Sequence, residues 1–330
     1  MKNIAILGCG VIASIMARTL REMKKRGTPI RLYAAAARSL DRAQAFCEKE
    51  GFKKAYGSYE ELVCDPAVDL VYIATPHSHH AEQMKLCIDH GKAVLCEKAF
   101  TANAQQAREV LALAREKNVL VAEAIWPRYM PMLGIIKDAL ASGAIGTPQL
   151  LTANLSGFAE DIERIARPEL AGGALLDVGI YPLTFMTMFF GGEIIRIDSS
   201  VQMMDTGVDR QDFITVHFAD GRMAVLFAGV CAPYPKTCTI CCTEGYMTVD
   251  YCANPREVKL HRTIDGIPFE RKISLPEQIS GYEYEVEACL RALDNGEIEC
   301  PEMPHNEIIR MMDIMDSIRK AWGMTYPFEK

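Results

Sequence analysis

The chain has no excess of positive charge: 36 Lys and Arg stand against 43 Asp and Glu, a net charge of −7 over 330 residues. Binding to phosphate backbones rests on clustered Lys and Arg, so this balance argues against a nucleic-acid partner. It also removes the polybasic attraction to anionic lipid. No uninterrupted run of 18 apolar residues occurs, and no membrane span is expected. The opening run Ile4-Ala5-Ile6-Leu7-Gly8 is too short for a signal-peptide core, and no small-residue cleavage site follows it. Repeats and low-complexity linkers are lacking too. Apolar residues at 49% and charged residues at 24% exclude a disordered or collagenous chain. Cysteine, in contrast, is plentiful. The 12 Cys are scattered through apolar segments of a long chain, which reads as reduced core thiols in a cytoplasmic protein.

What is present alternates. Over the first ~125 residues, short apolar strands (Asn3–Leu7, Ile30–Ala37, Leu70–Thr75, Ala93–Cys96, Val119–Ala122) are separated by helices. The helices are expected at Ile12–Lys25, Leu40–Glu50, His80–His90 and Ala104–Lys117, with a capping box at Ser58 and Glu61 opening another. This is the pattern of a parallel sheet covered on both faces. After helices at Met132–Ser142 and Ala174–Phe190, strands follow one another with Asp220-Gly221, Glu244-Gly245 and Asp265-Gly266 between them, which signal hairpins. Two helices, Tyr282–Asn295 and Asn306–Trp322, close the chain. The expected fold class is α/β: a doubly wound α/β domain over 1–125, then an α+β domain over 126–330 with an antiparallel sheet.

Gly8-Cys9-Gly10-Val11-Ile12-Ala13 reads G-x-G-x-x-A, after a strand and at the start of a helix. Gly8 permits the tight turn, Gly10 lets the backbone approach a pyrophosphate, and Ala13 lets the helix pack close. The N–H groups from Val11 and Ile12 onward would face the phosphates. The end of the second strand selects the dinucleotide. An acid for the ribose 2′-OH is missing from Ala34-Ala35-Ala36-Ala37-Arg38-Ser39. Arg38, with Ser39 and Arg42, could pair with a 2′-phosphate instead, which favours NADP(H) over NAD(H). Arg38 and Arg42 could also be solvated helix-start residues.

Ligands of open α/β sheets bind outside the carboxyl ends of the strands. Three such ends carry polar residues: Thr75-Pro76-His77-Ser78-His79-His80, Cys96-Glu97-Lys98, and Glu123 through Tyr129. The histidines lack the spaced partners that would complete a zinc site, so no metal is expected. The C-x-x-C of Cys238–Cys241 lies in a strand without a second pair and reads as core thiols.

With these motifs in order, the chain resembles the Gfo/Idh/MocA family of nicotinamide-dependent oxidoreductases. That family carries G-x-G-x-x-[GA], T-P-x-x-x-H and E-K-P on a Rossmann domain, followed by a domain with a large open sheet. Ala99 stands where the family usually has Pro. Gly172-Gly173-Ala174-Leu175-Leu176-Asp177-Val178-Gly179-Ile180-Tyr181 is similar to the family's G-G-x-L-x-D-x-G-x-[HY]. Tyr181, with Trp126-Pro127-Arg128 upstream, resembles the subgroup of dimeric dihydrodiol dehydrogenases and glucose–fructose oxidoreductases. These act on cyclic trans-diols or sugars with NADP(H).

The resemblance implies roles. Tyr181 would be the acid/base, and Lys98 the cation that favours its phenolate and stabilises a developing alkoxide. Asp177 would orient Lys98 or bond a substrate hydroxyl. Thr75, Pro76, His80, Glu97 and Lys98 would contact the cofactor, and Trp126 and Arg128, with Asp177 and Tyr181, the substrate. Arg164 and Arg167, before the glycines, read as surface charges or as covers of the substrate. A non-catalytic NAD(P) sensor is the alternative on the same fold, and an isomerase or glycosidase with transient hydride abstraction a second. An open sheet with an apolar face would be covered by a second subunit, so a homodimer or homotetramer through the C-terminal sheet is expected.

Overall fold

Ile4-Ala5-Ile6-Leu7 can bury both faces only between neighbours, and β1 (Lys2–Leu7) does lie inside a parallel sheet. The structure, a computed structural model, describes residues 1–329. Contacts divide it into two units, 1–129 with 278–313, and 130–277 with 314–329.

The first unit is a doubly wound α/β domain. Its elements are β1, α1 (Val11–Lys25), β2 (Ile30–Ala36), α2 (Leu40–Glu50), β3 (Lys54–Tyr56), α3 (Tyr59–Val63), β4 (Leu70–Ile73), α4 (His77–Asp89), β5 (Ala93–Glu97), α5 (Ala104–Lys117) and β6 (Val121–Ala124). The strand order β3-β2-β1-β4-β5-β6 reverses at β1, the switch point where such sheets bind dinucleotides. All four residues of β4 are buried, as in a strand covered on both faces. Ser58 Oγ accepts the Glu61 N–H at 3.2 Å, one arm of the expected capping box. The other arm differs: Glu61 reaches back to the Gly57 N–H rather than that of Ser58.

Segment 278–313, expected with the second domain, packs with this first unit. The reason is local. The Val121 N–H of β6 bonds Ile298 O at 3.1 Å, and His305 Nε2 lies 2.9 Å from Val121 O. The added segment thus covers a strand that would otherwise be the sheet edge.

The second unit contains α6 (Met132–Ala141), β7 (Pro148–Ser156), α7 (Glu163–Ala166), a π-helical turn at Leu175–Gly179 leading into α8 (Ile180–Phe189), and β8 (Ile194–Met203). Then come β9 (Asp209–Phe218), β10 (Met223–Gly229), β11 (Cys238–Cys242), β12 (Gly245–Val249), β13 (Val258–Ile264) and β14 (Ile267–Ile273). These strands form one sheet ordered β14-β13-β12-β11-β7-β10-β9-β8. Every pairing is antiparallel except β7 with β10, which run parallel. Between β13 and β14, Asp265 (φ 51°) and Gly266 (φ 78°) supply the two left-handed residues of a tight hairpin. Stretch Pro168–Phe189 has the length and hydropathy of a membrane span, yet 89% of its most apolar window is buried in the protein, so it serves as a core helix. Helices α9 (Glu283–Asn295) and α10 (His305–Ala321) end the chain, and the division between units falls within α10.

Candidate active site

The glycine loop sits where β1 ends. Gly8 (φ +91°) donates to Ala36 O at 3.0 Å, and a Cβ on it would meet Ala74 O at 2.8 Å. Only glycine fits there. Gly10 faces open space, with nothing within 4 Å of where its Cβ would lie. It is the N-cap of α1, no side chain caps that helix, and no acid occupies its first turn. Val11 is 81% exposed, and Ala13 is fully buried against the sheet. Uncapped N–H groups, open space and an exposed apolar side chain together fit a pyrophosphate on this terminus.

Beyond β2, Arg38 and Arg42 are exposed, and Ser39 is the N-cap of α2 with its side chain making no cap bond. Burial raises the Tyr59 hydroxyl pKa, and Arg38 and Arg42 pull it back down.

At the end of β4, Thr75 Oγ1 donates to Gln83 at 2.7 Å, and Pro76 is the N-cap of α4. The helix begins at His77, three residues before the expected start at His80. His80 is wholly buried, its Nδ1 2.9 Å from Ala99 O and its Nε2 2.9 Å from Thr75 O. Burial lowers its pKa to about 4. It ties the turn after β4 to the turn after β5, so it reaches the site by holding backbone.

That second turn carries Lys98, which is half-buried. Three groups hold the turn. Glu97 accepts the Lys98 N–H at 3.2 Å and is itself bonded by the Tyr72 hydroxyl. Glu123 Oε1 accepts the Phe100 N–H at 3.0 Å, and His80 meets Ala99 O. The Lys98–Ala99 peptide bond is cis. Burial pushes the Glu123 carboxyl up to about 7, and Glu285, fully buried nearby, is also raised well above the usual carboxylate range. The sequence marks Glu97 and Glu123 as strand-end residues but not their burial, and it does not mark Glu285, because Glu is by default a surface residue and nothing local shows it buried.

Trp126 and Arg128 are both buried, where substrate contact was expected. Trp126 stacks on Tyr282 with centroids 4.3 Å apart, and Arg128 Nη2 pairs with Glu307 at 2.5 Å. Both contacts attach the 278–313 segment to the first unit, so each side chain has a structural partner there.

In the second unit, Asp177 lies in the π turn and Tyr181 one turn on, half-buried at the start of α8. Asp177 is 5% exposed and takes Arg164 Nη1 at 2.5 Å. Arg164 thus touches a candidate catalytic side chain, while Arg167 pairs at 3.3 Å with exposed Glu163. Asp209 escaped sequence reading. Its Oδ2 accepts the Leu175 N–H at 2.5 Å, capping the π turn from a strand. A Cβ on Gly173 (φ +110°) would collide with Asp209 Oδ1, so the second glycine of the motif makes room for this carboxylate. Burial raises Asp209 to about 6.

Comparison with known proteins adds the following. The model of the Gfo/Idh/MocA oxidoreductase family, NAD-binding Rossmann fold, matches residues 2–125, and that of the Gfo/Idh/MocA C-terminal domain matches 135–248. The trans-1,2-dihydrobenzene-1,2-diol dehydrogenase of Bos taurus is 34% identical over 98% of this chain and 98% of its own. The Homo sapiens enzyme of that name is 32% identical over the same shares. Among solved structures, KijD10, a 3-ketoreductase from Actinomadura kijaniata in complex with NADP and TDP-benzene, aligns with a TM-score of 0.86 at 24% identity over 97% of both chains. Levoglucosan dehydrogenase in complex with NADH and levoglucosan aligns at 0.85 and 17%, covering 97% of this chain and 96% of its own. Both structural likenesses show the fold alone.

Proposed function

The chain belongs to the Gfo/Idh/MocA family of oxidoreductases on an NAD(P)-binding fold, and from that premise we propose that it transfers hydride between NADP(H) and a secondary alcohol or carbonyl of a cyclic trans-diol or sugar. The observation that carries this reading is the shared edge of the first sheet. The open Gly8–Ala13 loop lies at the carboxyl end of β1, and the held Lys98 turn at the carboxyl end of β5, where doubly wound folds bind their ligands. The diol dehydrogenases supply the substrate class, since they cover nearly the whole chain.

A bound nicotinamide dinucleotide supplies the hydride donor or acceptor. The chain's own residues do the rest. The α1 N-terminus holds the pyrophosphate through backbone N–H groups. Arg38, with Ser39 and Arg42, takes the 2′-phosphate, in a stretch without a ribose-binding acid. Tyr181 exchanges the proton of the substrate hydroxyl. Its phenol, with an ordinary pKa of about 10, needs a cation to work near neutrality. Lys98 provides that charge and stabilises the oxyanion. Asp177, held by Arg164, bonds a further substrate hydroxyl.

The open sheet of the second unit supports a homo-oligomer. Phe213 is 54% and Val225 37% exposed, and Phe227 stacks on Phe213 at 4.6 Å. An apolar patch of this kind is most simply covered by the same patch of another copy.

The test is reduced-nicotinamide absorbance with NADP⁺ and, separately, NAD⁺ over cyclic trans-diols and aldoses. Turnover with NADP⁺ is expected. Tight dinucleotide binding without turnover across the panel would favour the sensor, and absence of dinucleotide binding would remove the premise for hydride transfer.

A further inference from the structure

At the opposite end of β2 from Arg38 lies a second concavity of about 810 Å³. Arg21, Lys24 and Lys25 of α1, Arg31 of β2 and Lys53 beyond α2 line it, over a floor from Leu32 and Tyr33. No acid is in the lining, although the chain as a whole carries a net charge of −7. Three acids contact lining residues and are already engaged: Asp65 accepts the Tyr33 hydroxyl at 3.0 Å and pairs with Lys54. Glu50 takes Arg21 at 2.7 Å and Glu22 takes Lys25 at 2.7 Å. Lys24, Arg31 and Lys53 make no ion pair among the described residues.

Helix polarity explains only part of this. Lys24 and Lys25 sit in the last turn of α1 and complement its carbonyl end. Arg31 is on a strand and Lys53 follows the left-handed residue that closes α2, so neither has a helix end of its own to neutralise. Three exposed cations thus line one concavity without counter-ions, a local excess of positive charge that a bound anion would neutralise. The volume is within the range of small-molecule sites. From Arg31 to Arg38, seven residues of extended chain span roughly 23 Å, so the cofactor's phosphates at the glycine loop do not serve this cavity.

We propose that this cavity is a binding site for a small, multiply charged phosphate compound, separate from the dinucleotide site and independent of the proposed hydride transfer. Lys24, Arg31 and Lys53 would supply charge-assisted hydrogen bonds to the phosphate oxygens, and Leu32 with Tyr33 would support the body of the ligand.

Inorganic pyrophosphate, titrated calorimetrically into the full chain at constant ionic strength, is the direct probe. Saturable binding is expected. It should weaken about tenfold or more in the triple variant K24A/R31A/K53A and survive Arg38→Ala. Turnover with saturating dinucleotide should be unchanged in the triple variant. Equal affinity in the triple variant and the parent, or loss of binding on Arg38→Ala alone, would overturn the assignment. So would no saturable binding at all. Should the triple variant fail to fold, acetylation of the unaltered protein decides: pyrophosphate should protect Lys24 and Lys53 but not exposed Lys320, and equal labelling would refute the site.

Discussion

Gly8 has no room for a side chain because Ala74 O stands 2.8 Å from where its Cβ would be, whereas Gly10 has nothing near it. The two glycines of one motif thus serve different ends, a turn and an approach path. The motif shows both residues in the sequence; only coordinates separate their reasons. The opposite holds for Glu123. Its burial is invisible in the sequence, since its partner, the Phe100 N–H, lies 23 residues away. Its carboxyl is raised from the ordinary value to about 7 by burial. The folded state therefore binds the extra proton, and stability from this group is complete below the unfolded pKa of about 4.3 and lost as pH rises through about 7. Glu123→Gln keeps an oxygen for the Phe100 N–H and removes the titration. Thermal unfolding of the variant from pH 5 to 8 should fall less than that of the parent; parallel curves would show that Glu123 does not titrate in this window. Arg38 offers a second test. Arg38→Ala should raise KM for NADP⁺ about tenfold or more and leave KM for NAD⁺ near its parent value, because only one cofactor carries a 2′-phosphate. Equal losses for both cofactors would remove Arg38 from phosphate recognition.

At the scale of elements, strong local patterns were legible. Leu40–Glu50 and Ala104–Lys117 form helices with the expected ends. Elements without a local pattern were not. β3 is three residues with no alternation to read. The parallel pairing of β7 with β10 joins strands separated by α8, β8 and β9, so no turn signal announces it. The segment Ala174–Phe190 reads as one helix but opens with a π turn, held by Asp209 from β9. That turn carries Asp177, and π turns recur at functional sites because they re-aim a side chain. Gly173→Ala would force a Cβ against Asp209 Oδ1 at φ +110°. It should cost about 1–3 kcal/mol in denaturant unfolding and lower turnover with it. A variant of parent stability would mean that the Asp209 cap does not hold the turn.

For the molecule as a whole, the α/β unit followed by an open sheet was legible from alternation and then hairpin signals. The return of 278–313 to the first unit was not, because its contacts with β6 and with Trp126 and Arg128 are distant in sequence. The motifs single out Lys98 and Tyr181 as candidates; the groups that hold the Lys98 turn (His80, Glu97 and Glu123) and the π turn before Tyr181 (Asp209) come from tertiary burial. Assembly is a property of the same scale. Phe213→Asp puts a charge into the exposed aromatic patch with Phe227. It should shift the protein from oligomer to monomer in analytical ultracentrifugation, and an unchanged sedimentation coefficient would place any subunit contact elsewhere.

Proton exchange by Tyr181 is the central claim, and steady-state oxidation of a cyclic trans-diol by NADP⁺ with Tyr181→Phe tests it most directly. The variant keeps the ring and loses only the hydroxyl. Turnover should fall by about 10²- to 10⁴-fold with NADP⁺ affinity near that of the parent. Parent-level turnover in Tyr181→Phe would contradict the assignment.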